Sequence, residues 1–323
     1  MAHAFGDYPR LAFAIPLANL SFGAWTDTTY PDAWTLRGSG TAAAWAKYAP
    51  GFDLTRAIKL SQTGVPSAPY ASTIENVIAL PDYIENGQAT RLGYCAISDL
   101  GGSYGAAVCS AKSFQHDGGG YLDLSSSWLP SNDPDWIIKE VDSSNNITTA
   151  ITEIGIFCEV RSYNSESDPA CVFDCFKVEY GRSVSERYWT FTRFPELSGL
   201  DIRPMTFRKD ERTGRGSLRS YDNTGGAVKW RIVLPFENVP VSFVEVITEF
   251  WRRNRGLDDG IQRPLCLTHC LTDPASSHLS GEDYLKRPPW IICNITNEYL
   301  DFKHVGSFLG AGMYSGSLTF EEI

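Results

Sequence analysis

The sequence predicts an all-β protein with one helix, divided into two domains, and three observations support this. Short apolar or alternating runs recur along the first 181 residues, separated by clusters of Gly, Pro, Ser, Asn and Asp, as in an antiparallel sandwich or jelly roll. A single later stretch, about 243–255, carries its apolar residues at helical spacing. The pattern also changes after Gly181, splitting the 323 residues into parts of ordinary domain size. With 43% hydrophobic residues the chain has material for two cores.

Taken in order, residues 1–18 hold scattered aromatics and two prolines without periodicity, and are expected to be an N-terminal arm that docks on a neighbour or on the chain's own second domain. Residues 19–181 are expected to form the first domain. Asn19-Leu-Ser-Phe and Asp32-Ala-Trp-Thr-Leu36 open it. Strand-like runs follow at Ala57–Gln62, Thr73–Leu80, Arg91–Ile97, Gly105–Cys109, Trp136–Val141 and Glu153–Val160. The closing run, Cys171–Gly181, is expected to turn Val172, Asp174, Phe176, Val178 and Tyr180 toward a core, with Phe173, Cys175, Lys177 and Glu179 on the other face. Trp25 and Trp34 sit in apolar settings and read as core.

Residues 182–323 are expected to form a second β-rich domain. Tyr188–Phe194 reads as a strand, and Asp222–Gly226 as the turn into Val228–Phe236, the cleanest alternation in the chain. Pro235 places the far end of that strand at an edge or outside the sheet. The helix follows. Ser242-Phe-Val-Glu245 has the form of a capping box, Val241 can staple onto Val246, and Gly256 supplies a left-handed stop after Arg252, Arg253 and Arg255. Phe243, Val244, Ile247, Phe250 and Trp251 share its inner face. Strand character returns at Leu265–Leu271, Trp290–Thr296 and Ser315–Phe320.

The ordered series Asn19-Leu-Ser-Phe, Asp32-Ala-Trp-Thr-Leu, Ala57-Ile-Lys-Leu, Trp136-Ile-Ile-Lys and Phe173-Asp-Cys-Phe-Lys-Val resembles the galactose-binding-like jelly roll of carbohydrate-binding modules. That resemblance implies glycan binding by residues 19–181. It also implies a structural calcium at the opening and closing strands, where Asn19 and Asp174 match and Gly23 stands in place of the expected acid. The later series, Val228-Lys-Trp-Arg-Ile-Val-Leu, the helix ending Phe250-Trp-Arg-Arg-Asn-Arg, Gly256 and Arg263-Pro-Leu-Cys-Leu, resembles minor tail and distal-tail subunits of tailed bacteriophages. Such a resemblance implies a virion protein of a tail tip or baseplate, assembled as a homo-oligomeric ring with other tail proteins and displaying its sandwich to a host-surface glycan. An accessory module of a polysaccharide-active enzyme and a capsid decoration protein are the alternatives.

Charge narrows the partners. A net charge of -10 and a pI near 5.0 argue against a phosphate backbone. The one basic cluster, Arg208, Lys209, Arg212, Arg215 and Arg219, is interrupted by Asp210 and Glu211 and reads as a solvated or subunit-facing loop. Leu11–Trp25 contains Pro16 and Asn19 and is too short for a bilayer, so neither anchor nor signal is expected there. The eight cysteines lie mostly in apolar runs and read as free thiols. Cys266, Cys270 and Cys293 lack paired zinc-ligand spacing.

No nucleophile elbow, metal-binding His pair or phosphate loop occurs, and no enzyme activity is expected. Asp133 with Asp135, Glu140 with Asp142, and Asp258 with Asp259 read as surface acids. The aromatics are more informative. Trp45, Tyr48, Tyr70, Tyr104, Tyr121 and Trp128 lie in stretches rich in small residues, where an amphipathic ring stays partly exposed. Of these, Trp45, Tyr48, Tyr70, Tyr104 and Trp128 are the candidate sugar-stacking residues; pinning loops or meeting another subunit is the competing role.

Overall fold

The computed structural model describes residues 8–20, 22, 31–38, 43–48, 57–62, 70–99, 107–129, 133–162, 169–183, 188–196, 198–205, 208–212, 218–222, 229–268, 289–308 and 310–323. Trp25, the expected turn residues 223–226 and Tyr104 lie outside them. The protein is mostly antiparallel β-sheet with one helix, as its fold class predicts. It divides into two compact units. One comprises Met1–Ala14, Tyr188–Asp273 and Pro289–Ile323, the other Ile15–Arg187 and Pro274–Pro288. No helix among the described residues is long and apolar enough to cross a membrane.

The first strand, β1 (Arg10–Ala14), lies in the stretch expected to be an arm, and it belongs to the first of these units. The second unit contains β2 (Thr35–Gly38), β3 (Ala43–Tyr48), β4 (Ala57–Gln62), β5 (Tyr70–Ala79), β6 (Ala89–Asp99), β7 (Ala107–His116), β8 (Tyr121–Leu129), β9 (Asp133–Asp142), β10 (Glu153–Ser162) and β11 (Ala170–Gly181). Strands β3, β4, β11, β6 and β9 pair in that order, and β2, β5, β10, β7 and β8 form a second five-stranded sheet. Side chains of one face of each sheet are buried between them: Ile58, Leu60, Leu92, Tyr94 and Val178 from the first, Ile74, Ile154, Ile156, Cys158 and Val160 from the second.

Strand β11 corrects the expected face assignment. A β-bulge interrupts its register with β6 between Asp174 and Lys177, and Cys175 there adopts φ 49°. The extra residue shifts the alternation, so Phe173 joins Phe176 in the aromatic core. Both rings pack on Tyr94, with centroids 6.0 and 5.7 Å away, and Phe22 and Trp34 extend the cluster through Phe176. On the other face Lys177 is fully buried, its Nζ 2.6 Å from both Glu140 and Glu179.

The remaining strands are β12 (Tyr188–Thr190), β13 (Asp201–Met205), β14 (Arg208–Arg212), β15 (Leu218–Asp222), β16 (Lys229–Pro240), β17 (Leu265–Thr268), β18 (Trp290–Ile295), β19 (Lys303–Phe308) and β20 (Ala311–Glu322). In this unit β1 lies between β12 and β17, and the pairing continues through β18, β20, β16 and β13. The basic stretch read as a loop contains the β14–β15 hairpin. Strand β16 alternates as expected, burying Trp230, Ile232, Leu234 and Phe236. Its pairing with β13 ends at Val233, before Pro235, while pairing with β20 continues.

Helix α1 (Val241–Asn254) lays Phe243 and Ile247 into this core, with Val244, Phe250 and Trp251 packed against it. Each fully buried side chain of this size contributes about 1.5–3 kcal/mol. The expected capping box is absent. Pro240 occupies the N-cap, with no side-chain cap hydrogen bond, because β16 runs directly into the helix and Ser242 is already inside it. The expected stop is present: Gly256 has φ 65°, and a Cβ there would lie 2.8 Å from backbone of Ile261. Buried Asn254 fixes the helix end by donating to the Arg263 carbonyl and Asn294 Oδ1 and accepting from the Ile295 amide.

Candidate ligand-binding groove

Strand pairing fixes which side chains share the outer face of the β2-β5-β10-β7-β8 sheet. On β10 the even residues from Ile154 to Val160 are buried in the core, so Glu153, Gly155, Phe157, Glu159 and Arg161 face outward. Directly opposed residues of antiparallel neighbours share a face. Register therefore adds Thr73, Glu75, Val77 and Ala79 from β5, Lys112, Phe114 and His116 from β7, and Tyr121, Asp123 and Trp128 from β8.

A cavity of about 460 Å³ lies on this face, lined by Thr73, Glu75, Val77, Phe114, His116, Tyr121, Glu153 and Phe157, with Ile78 and Ala79 at one end. From Thr73 to Ala79 it follows seven residues of β5, about 20 Å at the rise of a strand, which is long enough for several units of a linear ligand. Gly155 of β10 is paired with both Val77 and Phe114 of the lining. Only glycine fits, since a Cβ there would be 2.4 Å from the Asn76 carbonyl oxygen.

Three rings form an aromatic wall. Tyr121 stacks on Phe114 at 5.6 Å, and Phe157 meets Phe114 edge-on at 6.4 Å. The β7–β8 turn sets Tyr121 in place: Asp117 Oδ1 accepts the Gly119 and Gly120 amides at 3.0 and 2.6 Å, and these bonds hold its carboxyl below the usual range. Gly118 takes the left-handed φ of 81° that the turn requires. The Tyr121 phenol is held well above its ordinary pKa, first by burial and then by the Asp123 carboxylate, with Glu159 and Glu75 adding to the effect. It therefore remains a neutral hydrogen-bonding group.

The polar side of the groove is acidic. Glu75 and Glu153 line it, and His116 Nδ1 lies 3.7 Å from Glu153 Oε2. That same Nδ1 accepts the Gly118 amide at 3.3 Å. Lys112 on this face pairs with Asp123 at 3.1 Å and Arg161 with Glu159, and register also places Arg37 of β2 on it, opposite Thr73. Buried Gln115 fixes the approach to Glu153 from beneath, accepting the Thr148 amide and donating to the Thr148 and Ile151 carbonyls.

The aromatics singled out from sequence are distributed differently. Trp128 is 53% exposed on this outer face, opposite Ser110, but is not part of the cavity lining. Tyr121, 56% exposed, is part of it. Tyr48 is half-buried on β3 in the other sheet. Trp45 pairs with Leu60 on the same strand, and Tyr70 opens β5 opposite Ser162; the side chains of both lie outside the described residues. Sequence reading did not find Phe114, His116, Glu75, Glu153 and Phe157. The alternation of acid, glycine and aromatic through Glu153, Gly155 and Phe157 was the available signal.

The residues tied to calcium make structural bonds. Asn19 Nδ2 donates to the Asp32 carbonyl, the Asn19 carbonyl accepts Trp34 Nε1, and buried Asp174 Oδ1 accepts the Cys175 amide. Calcium takes six to eight oxygen ligands. Among the described residues no set of three or more His, Cys, Asp or Glu side chains is arranged to hold a metal. Cys266 and Cys293 are free and buried; Cys270 lies outside the described residues.

No protein-family model and no curated protein sequence matches the chain. Among solved structures it is similar to the Stig cyclase Fisc from Fischerella sp. TAU at 11% identity and a TM-score of 0.37, over 53% of this chain and 98% of that one. The enzymatically active domain of bacteriophage CBA120 tailspike protein 4 matches at 16% identity and a TM-score of 0.34, over 53% of this chain and 21% of that one. A family 11 carbohydrate-binding module from a Clostridium thermocellum cellulosomal cellulase matches at 13% identity and a TM-score of 0.30, over 46% and 88%.

Proposed function

We propose that the chain binds glycans through the groove on the β2-β5-β10-β7-β8 sheet, as a structural subunit of a phage tail tip or baseplate. The observation that carries the binding reading is the wall of Phe114, Phe157 and Tyr121 beside the carboxylates of Glu75 and Glu153. Aromatic faces accept the apolar face of a sugar ring, and carboxylates accept its hydroxyl hydrogens. Glu153 is opposite Ala79, four residues along β5 from Glu75, so the two carboxylates arise from points about 13 Å apart along the groove.

The assembly role draws support from the other unit, where Tyr299, Val305 and Phe308 are each more than half exposed in and just before the β19–β20 hairpin. Exposed apolar side chains near a hairpin are available to a protein partner. Isothermal titration against a panel of neutral and charged oligosaccharides, combined with mass spectrometry of purified phage particles, tests both parts. Failure of every glycan to bind removes the first part. Absence from particles, with the gene among polysaccharide-degradation genes, would favour an accessory module of an enzyme.

A further inference from the structure

We propose that the binding face extends beyond the groove, with Trp128 as a second stacking platform for a long glycan chain whose first contact is Tyr121; this rests on the glycan-binding reading above. Among the described residues of the Ile15–Arg187 unit, Tyr121 and Trp128 are the large hydrophobic side chains that stand exposed, each by more than half. Both belong to β8, and register puts both on its outer face, Tyr121 opposite His116 and Trp128 opposite Ser110. His116 and Ser110 are six residues apart on β7, so the two rings arise about 20 Å apart along the sheet. A disaccharide is shorter than that span and meets one ring at a time. A chain of several units reaches both.

The two rings are held differently. Tyr121 is backed by Phe114 at 5.6 Å and met edge-on by His116 at 6.3 Å. Trp128 makes no hydrogen bond or ring contact with the described residues, which leaves its indole free to stack and its Nε1–H free to donate. Between them the outer face of β8 carries Asp123 and Ser126, with Lys112 of β7 opposite Ser126 and donating to Asp123 at 3.1 Å. Single apolar side chains scattered over a surface are ordinary. Two aromatic rings on one face of one strand, separated by donors and acceptors, instead fit a ligand whose rings have apolar faces and hydroxyl edges. Strand β8 is the outermost of its sheet, but the register shift between Ser113 and Phe114 breaks its line, which disfavours edge-to-edge pairing with a second copy.

Titration calorimetry of the full chain with cello-, manno- and galacto-oligosaccharides, each as the disaccharide and the hexasaccharide, tests the second platform. For whichever sugar binds, the hexasaccharide is expected to bind at least about tenfold tighter than the disaccharide, because its second contact forms within a chain already bound. Trp128→Ala should remove about tenfold of the hexasaccharide affinity, and with it most of the difference between the two lengths, while Trp128→Tyr, which keeps a ring, should retain most of that difference. Circular dichroism verifies the fold of both variants. Equal affinity for the two lengths, or a Trp128→Ala chain with its preference for the longer one intact, overturns the second platform and leaves the groove reading standing. Dimers in sedimentation that Trp128→Ala abolishes would give the ring to a contact between copies and overturn it equally. No binding of any oligosaccharide overturns both readings.

Discussion

The ring of Tyr121 stacks on that of Phe114 with their centroids 5.6 Å apart and their planes inclined by 21°, yet Tyr121 is 56% exposed and Phe114 only 3%. One ring therefore offers a face to a ligand, while the other supports it. Tyr121→Ala is expected to weaken glycan affinity about tenfold, a loss in the range of one aromatic contact, with little change in melting temperature. Phe114→Ala removes a buried ring and should cost about 3–5 kcal/mol of stability. Titration calorimetry and urea unfolding of the two variants separate these roles; equal destabilisation by both would refute the division.

Which parts of this site were legible follows from the chemistry of each strand's inner face. Strand β10 was legible because Ile154, Ile156, Phe157, Cys158 and Val160 make a compact apolar run bounded by polar residues. Strand β8 and the second half of β7 were not, because their buried sides carry Ser113, Gln115, Ser125 and Ser127 where a hydrophobic period would be sought. Those residues are satisfied by hydrogen bonding: Gln115 to the 148–151 loop and Ser113 Oγ to the Ser125 amide. The rings they carry to the surface, Phe114 and Tyr121, could not be placed without the strand. In β11 the strand was plain, but the bulge at Cys175 was not, since its φ of 49° arises at a residue type that carries no turn signal. Helix α1 was legible because its inner face, stop and basic end all agree.

Lys177 is a further consequence of that bulge, held with no exposed surface between Glu140 and Glu179. Removing one member of a buried ion cluster leaves the remaining charge without compensation. Lys177→Met should therefore cost about 3–5 kcal/mol, and adding Glu179→Leu should recover much of the loss. Equilibrium urea unfolding of the single and double variants measures this. A double variant no more stable than Lys177→Met would show that Glu179 is not the charge left stranded.

The pH response of the turn after α1 has a definite sign. Asp259 is hydrogen-bonded by Arg263 and by the Ile261 amide, and these contacts lower its pKa to about 2. A depressed carboxylate supports the fold above its unfolded value of about 3.9, and that support is lost as pH falls through the folded value. The Asp259–Arg263 contact should therefore persist through mild acid and release only near pH 2. Carboxyl-carbon NMR titration should give a midpoint near 2 for Asp259, moving toward about 3.9 in Arg263→Gln. A midpoint already near 3.9 in the parent chain would contradict the ion pair.

Residues 1–18 are expected to dock on a neighbour or on the chain's own second domain, and docking on a neighbour requires that they can be removed without unfolding the chain. Strand β1 makes this untenable for residues 10–14. It pairs with β12 through Arg10–Ala12 and with β17 through Arg10–Phe13, so both of its edges are used. Leu11 is fully buried in the core that also holds Trp230, Leu267 and Phe243, while Phe13 stacks on Phe250 of the helix at 5.1 Å. A central strand supplies ladder hydrogen bonds to two neighbours, and its loss leaves buried backbone groups of both unpaired. Leu11→Ala alone should cost about 2–5 kcal/mol, and deletion of residues 1–17 should yield a chain whose 188–323 unit fails to fold cooperatively. Hydrogen exchange provides the readout, through loss of amide protection in β17, β18 and α1. A truncated chain with full protection in those elements would restore the arm as a dispensable segment.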